Sequence, residues 1–227
     1  MIAFFRAAQH GVGMGGPAGS TTRQEQERSR VTRQKLMAAA IDVLVEQGWA
    51  GATTGAIAER AGVSRGACQH HFPTRAALVA AAVEHVFHQQ VEEIMRRAKG
   101  LPESRRRVEP LLNLLSEVHA GPLFMAATHL WVAAVADAEL KALLLPLQQQ
   151  VGREMHRLTL QLLGVDERDR EVREAVRATL DLLRGLALAN LLHDDTARRR
   201  KVLAHQARTL EALLLSKRAP QGPAPRS

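Results

Sequence analysis

The chain has 227 residues, which suits one large domain or two small ones, and 46% of them are hydrophobic. A formal net charge of +8 favours a polyanionic partner, either a nucleic acid or an acidic membrane surface. Aromatic residues make up 3% of the chain, tyrosine is absent, and leucine and alanine are abundant. This composition favours helices, because sheets prefer β-branched and aromatic residues.

Cysteine content and hydropathy exclude several further kinds of site and of protein. A single cysteine, Cys68, excludes an internal disulfide and a cysteine-based zinc site. Its position in the apolar pattern predicts a small core residue rather than a redox-sensing thiol. No segment approaches the roughly 18 apolar residues that a membrane-spanning helix needs. We therefore expect a cytoplasmic protein with no membrane partner.

Composition predicts disordered tails at both ends. Residues 1–22 are rich in glycine, alanine and serine, with Met14 as an alternative start, and residues 218–227 contain several prolines. Between the tails, periodic apolar residues and Gly, Pro and Asp breaks predict about nine helices. Their predicted ranges are 22 or 29–47, 53–61, 64–72, 74–99, 103–119, 122–136, 138–163, 167–192 and 196–217. Pro146 predicts a kink or a split in the seventh helix.

The second and third predicted helices form a helix-turn-helix. Thr53, Ser64 and Thr74 are predicted N-caps, and Gly62 is the predicted tight turn. The apolar side chains of the helix-turn-helix are predicted to pack against the first and fourth helices. They are Ile57, Ala58, Ala61, Val63, Ala67, Cys68 and Phe72. Facing outward, Arg65, Gly66, Gln69 and His70 suit contact with base edges, whereas Thr53, Thr54 and Arg75 suit phosphates.

This segment resembles the N-terminal domain of TetR-family transcriptional regulators. The matching residues are Ile57-Ala58-x-x-Ala61-Gly62-Val63-Ser64-x-Gly66 and His71-Phe72-Pro73-x-Arg75-x-x-Leu78. The resemblance implies base contacts by Arg65, Gly66, Ala67 and His70, and phosphate contacts by Thr53, Thr54, Gln69, His71 and Arg75. At two of these contact positions the chain departs from the family pattern: Gln69 stands where tyrosine is usual, and Arg75 stands where lysine is usual.

The rest of the chain is predicted to bind a ligand and a second copy. Its last two helices are apolar over more than one face, and the resemblance implies a four-helix dimer interface. Aromatic, methionine and histidine side chains could line a cavity for a small apolar or amphipathic inducer. The predicted lining residues are Met95, Phe124, His129, Trp131 and Met155, with Phe87, His119, Met125 and His156 as further candidates. The alternative is that these residues complete an ordinary core.

Together these patterns predict an all-α protein with four parts. They are a tail (1–22), a three-helix DNA-binding domain (23–75), a helical ligand-binding and dimerisation domain (76–217) and a second tail (218–227). We expect a ligand-released repressor that binds a palindromic double-stranded operator as a homodimer. The alternatives are an activator, a sequence-neutral DNA-binding protein, or a helical enzyme using His119, His129 or His156. No nucleophile–base spacing or complete metal set supports catalysis, so we expect no catalytic residues, metal or cofactor.

Overall fold

The computed structural model describes the backbone of residues 18–102 and 107–218, and side chains within 23–102 and 107–217. These residues form nine helices and no strand. The helices are α1 (Ala18–Gly51), α2 (Thr54–Ala61), α3 (Arg65–His71), α4 (Arg75–Ala98), α5 (Val108–His119), α6 (Pro122–Ala136), α7 (Ala138–Leu163), α8 (Arg170–Ala189) and α9 (Thr196–Arg218). The prediction of an all-helical fold is confirmed across the described residues.

Several helix boundaries differ from the sequence-based ranges. Helix α1 already includes Ala18, within the predicted tail, because the Arg, Gln and Glu residues that follow are good helix formers. Helix α7 runs unbroken through Pro146, so of the predicted kink or split the split is wrong and the kink stays a prediction. Helix α8 begins three residues later than predicted because Asp169 caps it, its carboxylate accepting from the amides of Glu171 and Val172. The predicted start of α5 and the rest of both predicted tails lie outside the described residues.

Contacts group the chain into two compact units, one ending at Lys35 and the other beginning at Leu36. The described part of the first unit is a polar helical stretch. Within it, Arg30 Nη2 lies 2.6 Å from Glu27 Oε1, and the Thr32 hydroxyl donates to the Arg28 carbonyl at 2.9 Å. An exposed ion pair such as Arg30–Glu27 adds little to the stability of a helix.

The second unit holds the hydrophobic core. Helix α5 packs against α4, α8 and α9, and α7 packs against α4, α6 and α8. Its largest fully buried side chains include Leu36, Leu44, Ile57, Leu78, Ile94, Leu111, Leu130, Leu183 and Leu210. One apolar cluster therefore extends from the end of α1 to α9.

No single helix in the described ranges is both long and apolar enough to span a bilayer. Helices α5 and α6 would reach that length and composition only together, and they are bent by 58° at the break between them.

Candidate nucleic-acid interface and ligand cavity

Side-chain caps and one glycine define the α2–α3 unit. The Thr53 hydroxyl accepts from the Ala56 amide at 3.1 Å, and the Ser64 hydroxyl accepts from the Ala67 amide at 3.2 Å. Between the helices Gly62 adopts φ 65° and ψ 36°, the left-handed region that favours glycine. The predicted caps and turn are confirmed, and they fix where α3 begins.

The inner face of this unit anchors it to the core. Ile57, Ala58, Cys68 and Phe72 are buried, and Val63 packs against the same cluster. Burial raises the pKa of the Cys68 thiol, which keeps it protonated at neutral pH. Cys68 is therefore a core residue, as its position in the sequence predicts.

The outer face of α3 is exposed at Arg65, Gly66, Gln69 and His70. A methyl group added at Gly66 would have no neighbour within 4 Å, so the backbone there is open to close approach. The side chains offer the hydrogen-bonding groups that read base edges in a major groove. The predicted outward orientation of these four residues is confirmed.

Arg65 lies against the first turn of α2. A methyl group added at Gly55 would sit 3.0 Å from Arg65 Nη2 and 3.3 Å from its Cζ. Glycine at this position therefore lets the guanidinium rest on the helix. The side chain is exposed but already held against a surface.

Arg75 is held more firmly. Its Nη1 donates to the Trp49 carbonyl at 3.2 Å, and its Cζ lies 3.6 Å from the centroid of the Trp49 ring. Burial lowers the pKa of Arg75, and the nearby carboxylate of Asp137 opposes that change. Arg75 thus joins the end of α1 to the start of α4.

A second contact joins the end of α1 to α6. Gly48 has φ 65° and ψ −171°, which kinks α1, and a methyl group added there would lie 3.3 Å from His129 Nδ1. The kink confirms that the regular helix stops where the sequence predicts. It also brings the α1 backbone against an α6 side chain.

A cavity of about 140 Å³ lies among α4, α5, α6, α7 and α8. Its lining is largely apolar, and the Phe124 and Trp131 rings meet edge to face with centroids 5.9 Å apart. Gln90, His119, Gln148 and Arg184 supply the polar side chains. An apolar cavity of about this size accommodates one benzene-sized molecule.

His119 presents a defined hydrogen-bonding group to this cavity. Burial lowers its pKa, the positive charge of Arg184 adds to that effect, and a hydrogen bond to the Leu115 carbonyl partly opposes it. The ring is therefore neutral at pH 7. Because Nδ1 lies 2.8 Å from the Leu115 oxygen, Nδ1 carries the proton and donates it, which leaves Nε2 as an acceptor.

No group of three or more His, Cys, Asp or Glu side chains in the described ranges is arranged to hold a metal ion.

Comparison with known proteins identifies the family. The profile of "Bacterial regulatory proteins, tetR family" matches residues 36–82. The HTH-type transcriptional regulator CymR of Pseudomonas putida is 32% identical over 185 residues, covering 79% of this chain and 89% of CymR. The chain belongs to the TetR family. It is a DNA-binding transcriptional regulator and not an enzyme.

Solved structures share the fold of this TetR-family chain. A transcriptional regulator of Pseudomonas aeruginosa PAO1 matches with a TM-score of 0.62 and 21% identity, covering 83% of this chain and 92% of that one. The multidrug binding protein EbrR, solved with imidazole, matches with a TM-score of 0.55 and 23% identity, covering 77% and 93%. EbrR has also been solved with proflavin.

On the DNA side, the predicted TetR-family contact residues are all exposed or half-buried. Thr53 is exposed, and Thr54, Ala67, His71 and Arg75 are half-buried. The Thr53 hydroxyl oxygen is occupied as a cap, yet its proton remains a donor. Arg75 differs from the prediction in its surroundings, because its guanidinium already stacks on Trp49.

On the ligand side, Phe124, Trp131 and Met155 line the cavity, whereas Met95 and His129 do not. Helix rotation explains both exceptions. The lining residues of α4 are Val83, Phe87 and Gln90, and the next position on that face is 94, so Met95 points elsewhere. His129 is two residues from the lining position 131, which turns it to the opposite face of α6, towards Gly48.

Three polar lining residues, Gln90, Gln148 and Arg184, are absent from the sequence-based set. Gln90 carried a usable signal, since it follows Val83 and Phe87 on one helical face. Gln148 and Arg184 carried none, because each lies in a segment that reads as a solvated helix surface.

Proposed function

We propose that this TetR-family regulator is a repressor that a small ligand releases from a palindromic operator. The observation that carries the proposal is the course of α4. The helix begins at Arg75, beside α3, and continues to Val83, Phe87 and Gln90 in the cavity wall. A ligand in the cavity therefore contacts the helix that positions the DNA-reading surface.

We propose that the two domains have separate functions. Residues 23–75 bind DNA, and residues 76–217 bind ligand and a second copy. In the operator complex, Arg65, Gly66, Ala67 and His70 contact bases, and Thr53, Thr54, Gln69, His71 and Arg75 contact phosphates. Exposure of the α3 surface and the open space at Gly66 support this assignment. Such a regulator acts where the genome is, which we propose is the cytoplasm.

A homodimer is proposed through the ends of α8 and α9. Leu188, Leu191 and Leu192 near the end of α8 are exposed, Leu192 at 91% and Leu188 at 53%. Exposed leucines grouped in this way indicate an interaction surface. The two α3 helices, related by two-fold symmetry, would then lie in successive major grooves, about 34–36 Å apart.

The dimer proposal is tested by light scattering after size-exclusion chromatography. Wild type is expected at twice the chain mass, and Leu188→Glu/Leu192→Glu at the chain mass. The matched control is Val132→Glu/Val135→Glu, which places two charges at exposed valines of α6. A monomeric wild type, or equal dissociation of both variants, would contradict the interface.

The proposed release mechanism is a population shift between two conformations of the dimer that differ in the spacing of the two α3 helices. Ligand contacts with α4 and α6 favour one spacing, because α4 begins at the Arg75–Trp49 contact and the middle of α6 lies against Gly48 through His129. DNA favours the other spacing. Linkage requires operator DNA to weaken ligand binding by the same factor as ligand weakens DNA binding.

The test begins with selection of genomic fragments that the protein binds, followed by affinity measurements with and without single-ring aromatic compounds. A palindromic site, released by a compound that also binds the free protein, supports the proposal. Transcription from that promoter should fall when the protein is added and recover with the compound. A rise on adding the protein would favour an activator, and equal binding to scrambled DNA a sequence-neutral protein.

A further inference from the structure

A second concave site adjoins the cavity, between α7 and α8. It is a groove of about 620 Å³, named here the arginine groove. Six arginines line it, against two carboxylates, Glu167 and Asp181. The arginines are Arg153, Arg157, Arg168, Arg173, Arg177 and Arg184.

Helical periodicity places these arginines on facing stripes. Arg153 and Arg157 are four residues apart on α7, and Arg173, Arg177 and Arg184 share one face of α8. His156 Nε2 bonds to the Arg173 carbonyl at 3.0 Å, which fixes α7 against α8 at the centre of the groove. The two stripes therefore stand opposite each other across a fixed gap.

Most of this positive charge is not neutralised within the protein. Arg184 pairs with Asp181 at 2.6 Å, and Arg173 donates to the Glu167 and Arg168 carbonyls. Arg153 and Arg177 line the groove without a hydrogen bond or close ion pair to the described side chains, although the Glu174 carboxylate attracts Arg173 and Arg177 electrostatically. Six arginines clustered with fewer carboxylates repel one another, and a multiply charged anion would relieve that repulsion with bidentate hydrogen bonds.

The groove and the cavity adjoin each other. Gly152, Leu180 and Arg184 line both, so an apolar chamber sized for one ring lies beside a cationic groove several times larger. One molecule could fill both only if it joined an apolar group to a head with several negative charges. A single carboxylate would leave most of the arginines without a partner.

We propose that the arginine groove binds the polyphosphate head of an amphipathic ligand whose small acyl or aryl group enters the cavity. This is the chemistry of coenzyme A thioesters. The inference deepens the proposed function, since it assigns a ligand class to the proposed release site. Arg184, at the junction, would lie where the apolar group meets the head.

Isothermal titration of the full chain without DNA tests this directly. The probes are benzoyl-coenzyme A, coenzyme A, benzoate and inorganic triphosphate. We expect benzoyl-coenzyme A to bind about tenfold or more tightly than coenzyme A or benzoate, because the two parts are linked. Benzoate binding as tight as that of the thioester would overturn the proposal.

Three variants locate the binding. Arg153→Ala/Arg177→Ala should weaken coenzyme A and its thioester about tenfold or more and leave benzoate unchanged, whereas Arg200→Ala on α9 serves as the matched control. A methyl group added at Gly152 meets nothing within 4 Å, so Gly152→Leu can fold while obstructing the junction. It should remove the advantage of the thioester over coenzyme A. Equal losses with Arg200→Ala, or an undiminished advantage in Gly152→Leu, would contradict the composite site.

Nucleic acid is the competing occupant. If Arg153→Ala/Arg177→Ala weakened a random duplex as strongly as coenzyme A, the groove would be a nucleic-acid surface and the proposal would fail. The two proposals can fail separately. If the thioester bound but did not release the operator, only the proposal of ligand control would be contradicted. If a compound released the operator and its affinity were unchanged in the groove variants, only the polyphosphate site would be contradicted.

Discussion

Two groups of arginines in this regulator, one beside α3 and one in the arginine groove, are held differently. Beside the reading helix, Arg65 rests on Gly55, and Arg75 stacks on Trp49 and donates to its carbonyl. The Arg75 guanidinium is therefore positioned before any DNA arrives, and the Arg65 guanidinium lies against the start of α2. A pre-positioned side chain loses less conformational entropy on binding, so more of its interaction appears as affinity.

The arginine groove shows the opposite arrangement. Arg153 and Arg177 line it without a hydrogen bond or close ion pair to the described side chains, and Arg184 pairs with Asp181. Unheld arginines can adapt to anions of varied shape but lose more entropy when they do. The contrast suggests that fixed geometry serves DNA binding, whereas local positive charge serves capture of a small anion.

The largest effect should come from Arg65→Ala, which removes a positioned base-reading group. Affinity for the cognate site should fall by about 1–3 kcal/mol, with little change on random DNA. Gel-shift titration on both sequences measures the difference. Equal losses on the two would show that Arg65 contributes charge without reading a base.

Arg75→Ala should lower the free energy of unfolding by about 1–2 kcal/mol, since it removes a cation–π contact and a hydrogen bond. It should also weaken all DNA sequences and flatten the salt dependence of binding. Arg177→Ala is the matched control, and urea unfolding should place it within about 0.5 kcal/mol of wild type. If both variants unfolded alike, the distinction between held and unheld arginines would be lost.

Gly55→Ala separates stability from recognition. Alanine in α2 should raise the free energy of unfolding by up to about 1 kcal/mol relative to glycine. The added methyl group, 3.0 Å from Arg65 Nη2, should displace the guanidinium and weaken cognate DNA by a few-fold. Gly66→Ala, where nothing lies within 4 Å, would test whether DNA itself needs the space. Unchanged DNA affinity in Gly55→Ala would show that the position of Arg65 on α2 is irrelevant.

The smallest effect at neutral pH concerns His119. Its folded pKa lies below the ordinary 6.5, so the unfolded chain binds the proton more readily. The resulting stability is complete above pH 6.5 and is lost as pH falls through the folded pKa. Above pH 6.5, the free energy of unfolding of His119→Gln should depend on pH as that of wild type does. Below pH 6.5 it should fall less than that of wild type. Thermal unfolding from pH 8 to 5 would measure both. Identical acid profiles would contradict a buried neutral His119.

The reading segment was predictable because its determinants are local. Caps, turn and buried residues all fall within about thirty consecutive positions, and the structure places Thr53, Gly62 and Cys68 as the pattern predicts. The cavity was only partly predictable. Phe124 and Trp131 line it, but the sequence does not fix helix rotation closely enough to exclude Met95 and His129.

The arginine groove was not predictable, because neither of its walls is distinctive alone. Arg153 and Arg157 on α7, like Arg173 and Arg177 on α8, read as ordinary solvated faces. Only the packing of α7 against α8, fixed through His156, brings the two stripes together. Long-range association of this kind has no local sequence signal.

The positions of the two tryptophans have a practical consequence. Trp49 lies under Arg75 at the DNA end of α4, and Trp131 lies in the cavity wall, and the chain contains no other tryptophan. Each therefore emits from a different end of the proposed signal path. Trp49→Phe leaves an indole that reports occupancy of the cavity, and Trp131→Phe leaves one that reports events at the reading helix. The order of ligand arrival and DNA-side rearrangement could then be timed in a stopped-flow instrument without attaching a dye.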